Sequence, residues 1–351
     1  MIEIDGSKGE SGGQIVRTAL GLSVLLGKAF TVTKIRHGRP TPGLKAQHLQ
    51  CIEALKQLCV CDVRGAEIGS ETITFIPGQF TPKNISIDIG TAGSITLLLQ
   101  SLLLPCMFSS KSITLKITGG TDVKWAMPID YFKEIVVPQL QRFCQIDVKL
   151  IKRGYYPKGQ GVVEITFKPK QNFEEIKPFF ILQCGELLQI KGISHASKEL
   201  QNKHVAEQQE EAAKMRIKHL NVPIHIDIQY NDTASLGSGI VLWGIYSVTD
   251  EINPAHPLRI GADALGDKEI PSEDVGAEAA KHFLKEIKNK APVDSHLADN
   301  VIPFLGLAGG SIHVCEITEH TRTNIAIVEK FLDVTFEIDE EKKIITCEKN
   351  N

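Results

Sequence analysis

One order of elements recurs along this chain, and that recurrence limits the fold more than any single motif does. Over residues 1–78 the pattern is strand, glycine turn, helix, strand, helix, hairpin. Ile2 to Ile4 is a short strand, and Ser11-Gly12-Gly13 opens a helix that runs to Leu26. Phe30 to Ile35 alternates apolar and polar side chains as a half-buried strand does. After Pro42-Gly43, Leu44 to Leu58 spaces its apolar residues for a helix; Val60 to Arg64 and Glu71 to Phe75 then flank a Gly- and Ser-rich turn. The order returns about 85 residues later, as duplicated units would give. Ile85 to Ile89 is the strand, Gly90-Thr91-Ala92-Gly93-Ser94 the turn and Ile95 to Leu104 the helix. Ile113 to Ile117 follows, then a helix opened by Pro128-Ile129-Asp130-Tyr131, and a hairpin of Ile146–Ile151 and Val162–Phe167. A third copy is expected from about Leu258, with helices Val275–Ile287, Leu297–Leu307 and Thr323–Leu332 before strands Val334–Ile338 and Lys343–Cys347.

Between the second and third copies the character changes. Residues 180–257 carry a strand (Leu187–Ile193), a highly charged helix (Glu199–His219) and further strands (His225–Tyr230, Ile240–Val248). This segment is expected to be an inserted small α/β domain, the remainder (1–179 and 258–351) forming the large domain. One continuous domain with a long excursion is the alternative.

Composition narrows the class. With 42% hydrophobic and 23% charged residues the chain has the make-up of a globular protein. Its longest apolar stretch, Ile95 to Phe108, is broken by Gln100, Ser101 and Pro105 and is too short to cross a bilayer. The start, Met1-Ile2-Glu3-Ile4-Asp5, has neither the basic end nor the apolar core of a secretion signal. A cytoplasmic protein without a membrane partner is therefore expected. Most of the eight cysteines fall in apolar patterns, and Cys59-Val60-Cys61 is too close for the usual metal pair, so reduced thiols are expected. A net charge of -3 argues against coating long nucleic acid. It leaves open an enzyme that grips one end of a strand with a local cluster of Arg and Lys.

Three features could carry chemistry. Glycine turns at Gly12-Gly13, Gly90 to Gly93 and Gly119-Gly120-Thr121 precede helices, whose free N–H groups favour phosphate oxygens. None matches a nucleotide-binding fingerprint, and simple strand-to-helix geometry would give the same turns. The segment Arg36-His37-Gly38-Arg39-Pro40-Thr41-Pro42-Gly43 places two guanidinium forks at one rim, suited to phosphate, with Arg17 and Gln47 able to face the same cleft. A solvated basic loop is the alternative. His320, followed by Arg322, Thr323 and Asn324 at a strand-to-helix junction, could present one ring nitrogen while its neighbours orient the ring. Neutral imidazole is a competent nucleophile toward phosphorus; a structural histidine is the alternative. His219 and His282 fall on polar helix faces, and His48 is as readily a packed helix residue as not. No zinc-binding spacing is present.

Taken together, these residues resemble the RNA 3'-terminal phosphate cyclases, nearly end to end. The blocks that carry the resemblance begin with Asp5-Gly6, Gly9-Glu10-Ser11-Gly12-Gly13-Gln14, Arg36 to Arg39, Pro42-Gly43-Leu44 and Gln47-His48-Leu49. They continue with Ile89 to Ser94, Gln100, Gly119-Gly120-Thr121, Arg153-Gly154-Tyr155-Tyr156-Pro157-Lys158-Gly159 and Gly237-Ser238-Gly239. The last are Gly261-Ala262-Asp263, His296-Leu297-Ala298-Asp299 and His320 with Thr323-Asn324. The resemblance implies a mixed α/β (α+β) fold: a large domain of three repeated units, each a four-stranded sheet with two helices, plus the inserted small domain. It implies ligase chemistry in three steps: His320 takes AMP from ATP with release of pyrophosphate, the AMP passes to an RNA 3'-phosphate, and the adjacent 2'-OH displaces it. The product would be a 2',3'-cyclic phosphate. Gln100 and the segment His296, Leu297, Ala298, Asp299, Asn300 would line the nucleotide pocket. Arg17, Arg36, Arg39 and Gln47 would hold the RNA end or polyphosphate, and Glu10 a divalent cation, Mg or Mn.

Some positions depart from the family pattern. Ser11 replaces a usual Gly, Gln160 interrupts a glycine run, Asn300 stands for Gln and Leu236 for Pro. None removes a reactive group. The alternative within the family's fold is a non-catalytic ribosome-assembly factor, which lacks the nucleophilic histidine; an enolpyruvyl-type transferase shares a repeated α/β unit but forms no adenylate. The oligomeric state, homodimer or otherwise, is not fixed by the sequence.

Overall fold

A computed structural model of the protein describes residues 1–10, 12–249 and 258–350. Ser11 of the first glycine turn, residues 250–257 at the expected domain boundary, and Asn351 lie outside the described residues.

The first unit runs β1 (Ile2–Asp5), α1 (Gln14–Leu26), β2 (Phe30–Thr33), α2 (Ala46–Leu58), β3 (Asp62–Arg64) and β4 (Ile73–Ile76), with sheet order β1-β2-β4-β3. β1 and β2 are parallel, joined across α1, and the closing strands are antiparallel. The second unit repeats this with β5 (Ile85–Asp88), α3 (Ile95–Met107), β6 (Ile113–Gly119), α4 (Ile129–Tyr131), α5 (Val137–Leu140), β7 (Cys144–Lys152) and β8 (Gly161–Pro169), in the order β5-β6-β8-β7. A π-helical turn over Phe132–Val136 joins α4 to α5.

The third unit starts earlier than the pattern suggests. Its first strand is β9 (Phe179–Ile181), after which the chain leaves to build another sheet from β10 (Glu186–Ser197), α6 (Val205–Ile217), β11 (Ile224–Asn231), β12 (Ser238–Ser247), β13 (Leu258–Leu265) and α7 (Ser272–Ile287). It then returns through α8 (Ser295–Ala308), β14 (Gly310–His313), α9 (Glu319–Phe331), β15 (Val334–Asp339) and β16 (Ile344–Lys349). β9 pairs in parallel with β14, giving the order β9-β14-β16-β15. The expected start of the third copy at Leu258 is therefore corrected. β13 pairs with β12 over Leu258–Leu265, and α7 packs on α6 and β13, so both belong to the inserted sheet β11-β10-β12-β13. Helical periodicity in Val275–Ile287 showed an amphipathic helix but not which sheet it covers.

The residue pattern explains how the inserted sheet is held. Every residue of β12 is buried, because its two faces enter two cores. Ile240 and Leu242 point to α6 and α7, whereas Val241, Trp243 and Ile245 join the main core. Helix α3 is apolar nearly all round because it packs between α1 and α2 on one side and strands β6 and β8 on the other. Aromatic contacts close the repeats on one another: Phe30 of the first unit meets Phe331 of the third at 5.9 Å, and Phe143 of the second stacks on Phe304 of the third at 5.4 Å. All eight cysteines are free, and among the described residues no helix is long and apolar enough to cross a membrane.

Candidate active site

The N-terminal ends of α1, α8 and α9 meet at one cleft. Thr318 caps α9, its hydroxyl accepting the Thr321 N–H at 3.0 Å, which fixes the first turn that carries His320. Asp299 on α8 accepts hydroxyl protons from Thr321 at 2.7 Å and Thr318 at 3.0 Å. Asn324 donates to the Asp299 carbonyl at 2.7 Å and accepts from Thr18 of α1 at 2.8 Å. The first turn of α9 is thus tied to both neighbouring helices. Asp294 locks α8 in turn: it accepts from the Leu297 N–H at 2.8 Å, the Gly261 N–H of β13 at 2.9 Å, and the Tyr131 hydroxyl. Burial pushes the Asp294 carboxyl up to about 6.

His320 itself is open to solvent, its side chain 47% exposed. Only Nδ1 is engaged among the described residues, by Gln14 Oε1 and by Glu10 Oε2 at 2.5 Å. Two oxygen acceptors at one ring nitrogen require that nitrogen to carry the proton. The lone pair of neutral His320 is then on Nε2. Contact with the Glu10 carboxylate raises the imidazole pKa above its usual range, against an opposing effect of burial. For Glu10 the balance is reversed. Burial would raise its pKa, but His320 and Arg39 outweigh that and hold it below the ordinary carboxylate range.

Beside this pair lies a cationic recess. Arg39 donates to Glu10 Oε1 at 2.6 Å and is 40% exposed. Arg36 adopts a left-handed backbone conformation (φ 56), and its Nε is buried without a hydrogen-bond partner. Arg17 is buried and donates from Nε to Gln100 Oε1 at 2.8 Å. Burial first, then the charge of Arg39, lowers the pKa of Arg36, and burial does the same to Arg17. An arriving anion would relieve both effects. His48 completes the recess: its Nδ1 accepts the Lys45 N–H at 2.9 Å, and burial with Arg17 and Arg36 nearby lowers its pKa to about 3. It therefore stays neutral. Gly13 is needed here, since a Cβ would come within 2.0 Å of His48 Nε2.

Not every expected residue contributes in the same way. Gln47 donates to the Ser94 carbonyl at 3.1 Å, joining α2 to the second glycine turn. His296 is exposed and meets the Tyr131 ring edge-on at 5.7 Å. Leu297 and Ala298 are buried in the main core, so of this segment His296, Asp299 and Asn300 carry the polar side chains. Gln14, Gln100, Asp299, Asn300 and Asn324 line one recess with Thr18. Gln14 went unremarked in the sequence except as part of a glycine block; its place one helical turn before Arg17 was the available signal. Thr18, Thr318 and Thr321 gave no signal.

A second polar cluster is sealed at the junction of the second unit and the inserted sheet. Arg153 pairs with Asp122 at 3.1 Å and Asp130 at 2.8 Å, and His195 lies between the Tyr155 hydroxyl at 2.8 Å and Asp122 at 3.3 Å. Asp122, Asp130 and His195 have the spacing of cation ligands. The guanidinium already lies against both carboxylates, so the cluster is an ion-pair network.

Residues 8–338 match the family model described as RNA 3'-terminal phosphate cyclase. A Pyrococcus furiosus protein of that name is 45% identical, covering 96% of this chain and 95% of its own. The Pyrococcus abyssi protein of that name is 43% identical over 97% of this chain and 96% of its own. The one from Archaeoglobus fulgidus is 41% identical over 98% and 100%.

Proposed function

The chain belongs to the RNA 3'-terminal phosphate cyclase family, and from that membership and the geometry at His320 we propose that it converts an RNA 3'-phosphate to a 2',3'-cyclic phosphate at the expense of ATP. The observation that carries this reading is a half-exposed histidine whose Nδ1 is held by Glu10 and Gln14, leaving Nε2 as the nucleophile, beside three arginines.

In the first step Nε2 attacks the α-phosphorus of ATP; a P–N bond forms and pyrophosphate leaves. The resulting imidazolium-like phosphoramidate keeps its proton on Nδ1, where Glu10 and Gln14 stabilise it. In the second step a terminal 3'-phosphate oxygen attacks the same phosphorus; the P–N bond breaks, His320 leaves as the neutral imidazole with its proton on Nδ1, and AMP passes to the RNA end. In the third the 2'-oxygen attacks the activated 3'-phosphorus, loses its proton and expels AMP. AMP leaves readily where a bare phosphate dianion would resist attack. The requirement for a 2'-OH makes RNA the cyclised substrate.

Arg17, Arg36 and Arg39 would bring anionic phosphates together, with Gln47 bracing the wall. Gln100, His296, Asp299 and Asn300 would bound the nucleotide. Apart from its ion-pair contact with His320 Nδ1, the buried Oε2 of Glu10 has no hydrogen-bond partner among the described residues, and one carboxylate plus substrate phosphates is a fitting donor set for Mg or Mn. When bound, such a cation neutralises charge on the departing pyrophosphate. Gln14 can keep His320 in the same tautomer while Glu10 serves the cation.

The test is incubation with ATP labelled at the α-phosphate, without RNA. Acid-labile label on the protein, absent in His320→Ala, is expected. An unlabelled wild type would sink the cyclase reading and favour the non-catalytic assembly factor.

A further inference from the structure

Two large aromatic side chains stand in solvent on loops that the chemistry above does not use. Trp125 is 95% exposed and Tyr156 is 75% exposed. Trp125 also has a left-handed backbone (φ 62), an uncommon conformation for so bulky a residue. Such a conformation persists where the surroundings over-determine it.

The surroundings here are rigid. Asp122 bridges to Tyr155, the Thr121 N–H donates to the Gly154 carbonyl at 2.9 Å, and Arg153 clamps Asp122 from beneath. Asp122 is 1% exposed and Tyr155 2%, so each ring projects from a buried anchor.

The same loops are continuous with the cleft. A Cβ at Gly159 would lie 2.8 Å from Ala92 Cα, which places the 153–160 loop directly on the second glycine turn. The Gly120 N–H donates to the Gly93 carbonyl at 2.8 Å, and Gln47 donates to the Ser94 carbonyl at 3.1 Å. One wall therefore runs from His48 and the arginine recess, over residues 90–94, to the loops that carry the two rings. Exposed lysines flank the rings: Lys124 precedes Trp125 and pairs with Asp267 at 2.5 Å, and Lys158 follows Tyr156. Leu236 and Asp232 on the adjoining loop are also exposed.

We propose that Trp125 and Tyr156 are a stacking platform for the bases of single-stranded RNA just upstream of the terminal phosphate. The proposal rests on the cyclase reading and extends its RNA site beyond the phosphate clamp. Ring faces open to solvent and interleaved with lysine suit unpaired bases, because every base has a face to stack and sequence need not be read. A protein partner would call instead for a contiguous apolar patch, and here the charged Lys124 and Lys158 interrupt one.

The experiment measures cyclisation of 3'-phosphorylated RNA of two lengths, a dinucleotide and an oligomer of about ten nucleotides, within the range one such surface binds. Trp125→Ala and Tyr156→Ala should each raise KM for the oligomer roughly five- to hundredfold, the effect of one lost base–ring stack. KM for the dinucleotide should change less, self-adenylylation should not change, and Trp125→Phe should restore most of the loss. An unchanged oligomer KM would overturn the platform, as would an equal loss with both lengths. A raised KM for ATP in self-adenylylation would also overturn it, assigning Trp125 to the nucleotide. Absence of adenylylation and cyclisation in the wild type would instead fail the underlying reading, and is distinguishable from all of these.

Discussion

The protein contains two clusters of arginine, carboxylate and histidine that differ little in composition and sharply in what they leave open to solvent. In the sealed cluster the side chains of Arg153 and Asp122 are fully buried, and both nitrogens of His195 face partners. In the open cluster Glu10, Arg39 and His320 are partly exposed, and among the described residues only Nδ1 of His320 is engaged. A cluster whose charges are all paired holds the fold together. One with exposed donors and an exposed lone pair can take a substrate. The difference lies in packing, not in residue type.

The strongest way to break this comparison is to exchange the fates of the two histidines. His320→Ala should reduce self-adenylylation by more than about a thousandfold, since a covalent step without its nucleophile has no substitute. His195→Ala should still form labelled protein. Comparable label loss in both would erase the distinction. Next in size is Arg153→Ala, which strands the buried carboxylates of Asp122 and Asp130. Removing one partner of a buried ion pair costs about 3–5 kcal/mol, so chemical denaturation should show a loss of that order. A loss under about 1 kcal/mol, the range of an exposed pair, would mean that the junction is wetter than the structure has it.

The sequence showed the two clusters very unequally. The repeated strand–turn–helix order is legible because each half-buried sheet writes its alternation into the chain, as in β6 and β8. The boundary of the inserted sheet is not legible: β13 and α7 have ordinary strand and helix patterns, and only pairing with β12 assigns them. At the open cluster Arg36 and Arg39 were visible because they sit beside glycine and proline turns, and His320 because Arg322, Thr323 and Asn324 follow it at a strand-to-helix junction. Gln14 and Thr18 act across 306 residues in sequence and Thr321 across 22, and no local period reports such contacts. Arg153 was visible as part of a block, but its burial was not.

A smaller effect sharpens the open side alone. Arg39→Ala should lower transfer of AMP to RNA more than it lowers self-adenylylation, by roughly ten- to hundredfold if it loses one charge-assisted phosphate contact of about 1.5–3 kcal/mol. Folding stability should move by less than about 1 kcal/mol, since the Arg39–Glu10 pair is partly exposed. Equal loss in both half-reactions would remove Arg39 from the RNA end. A large drop in stability would place it with Arg153.

The finest distinction concerns protons. His320 has a raised pKa in the folded protein because of Glu10, so its share of the pair's stability is present below the ordinary imidazole pKa and is lost as pH rises through the raised value. Glu10 has a lowered pKa, so its share is present above the ordinary carboxylate value and is lost as pH falls through the lowered one. The ion pair is thus strongest between those limits. The nucleophile, by contrast, needs the neutral ring, and the pair delays that form to higher pH. Glu10→Gln should therefore move the acid limb of self-adenylylation to lower pH, read from initial rates of labelling at saturating divalent ion. The same substitution should weaken the dependence on divalent ion, because it removes the charge that would hold it. An acid limb that stays in place would show that Gln14 alone sets the His320 proton, and that Glu10 serves the cation without tuning the nucleophile.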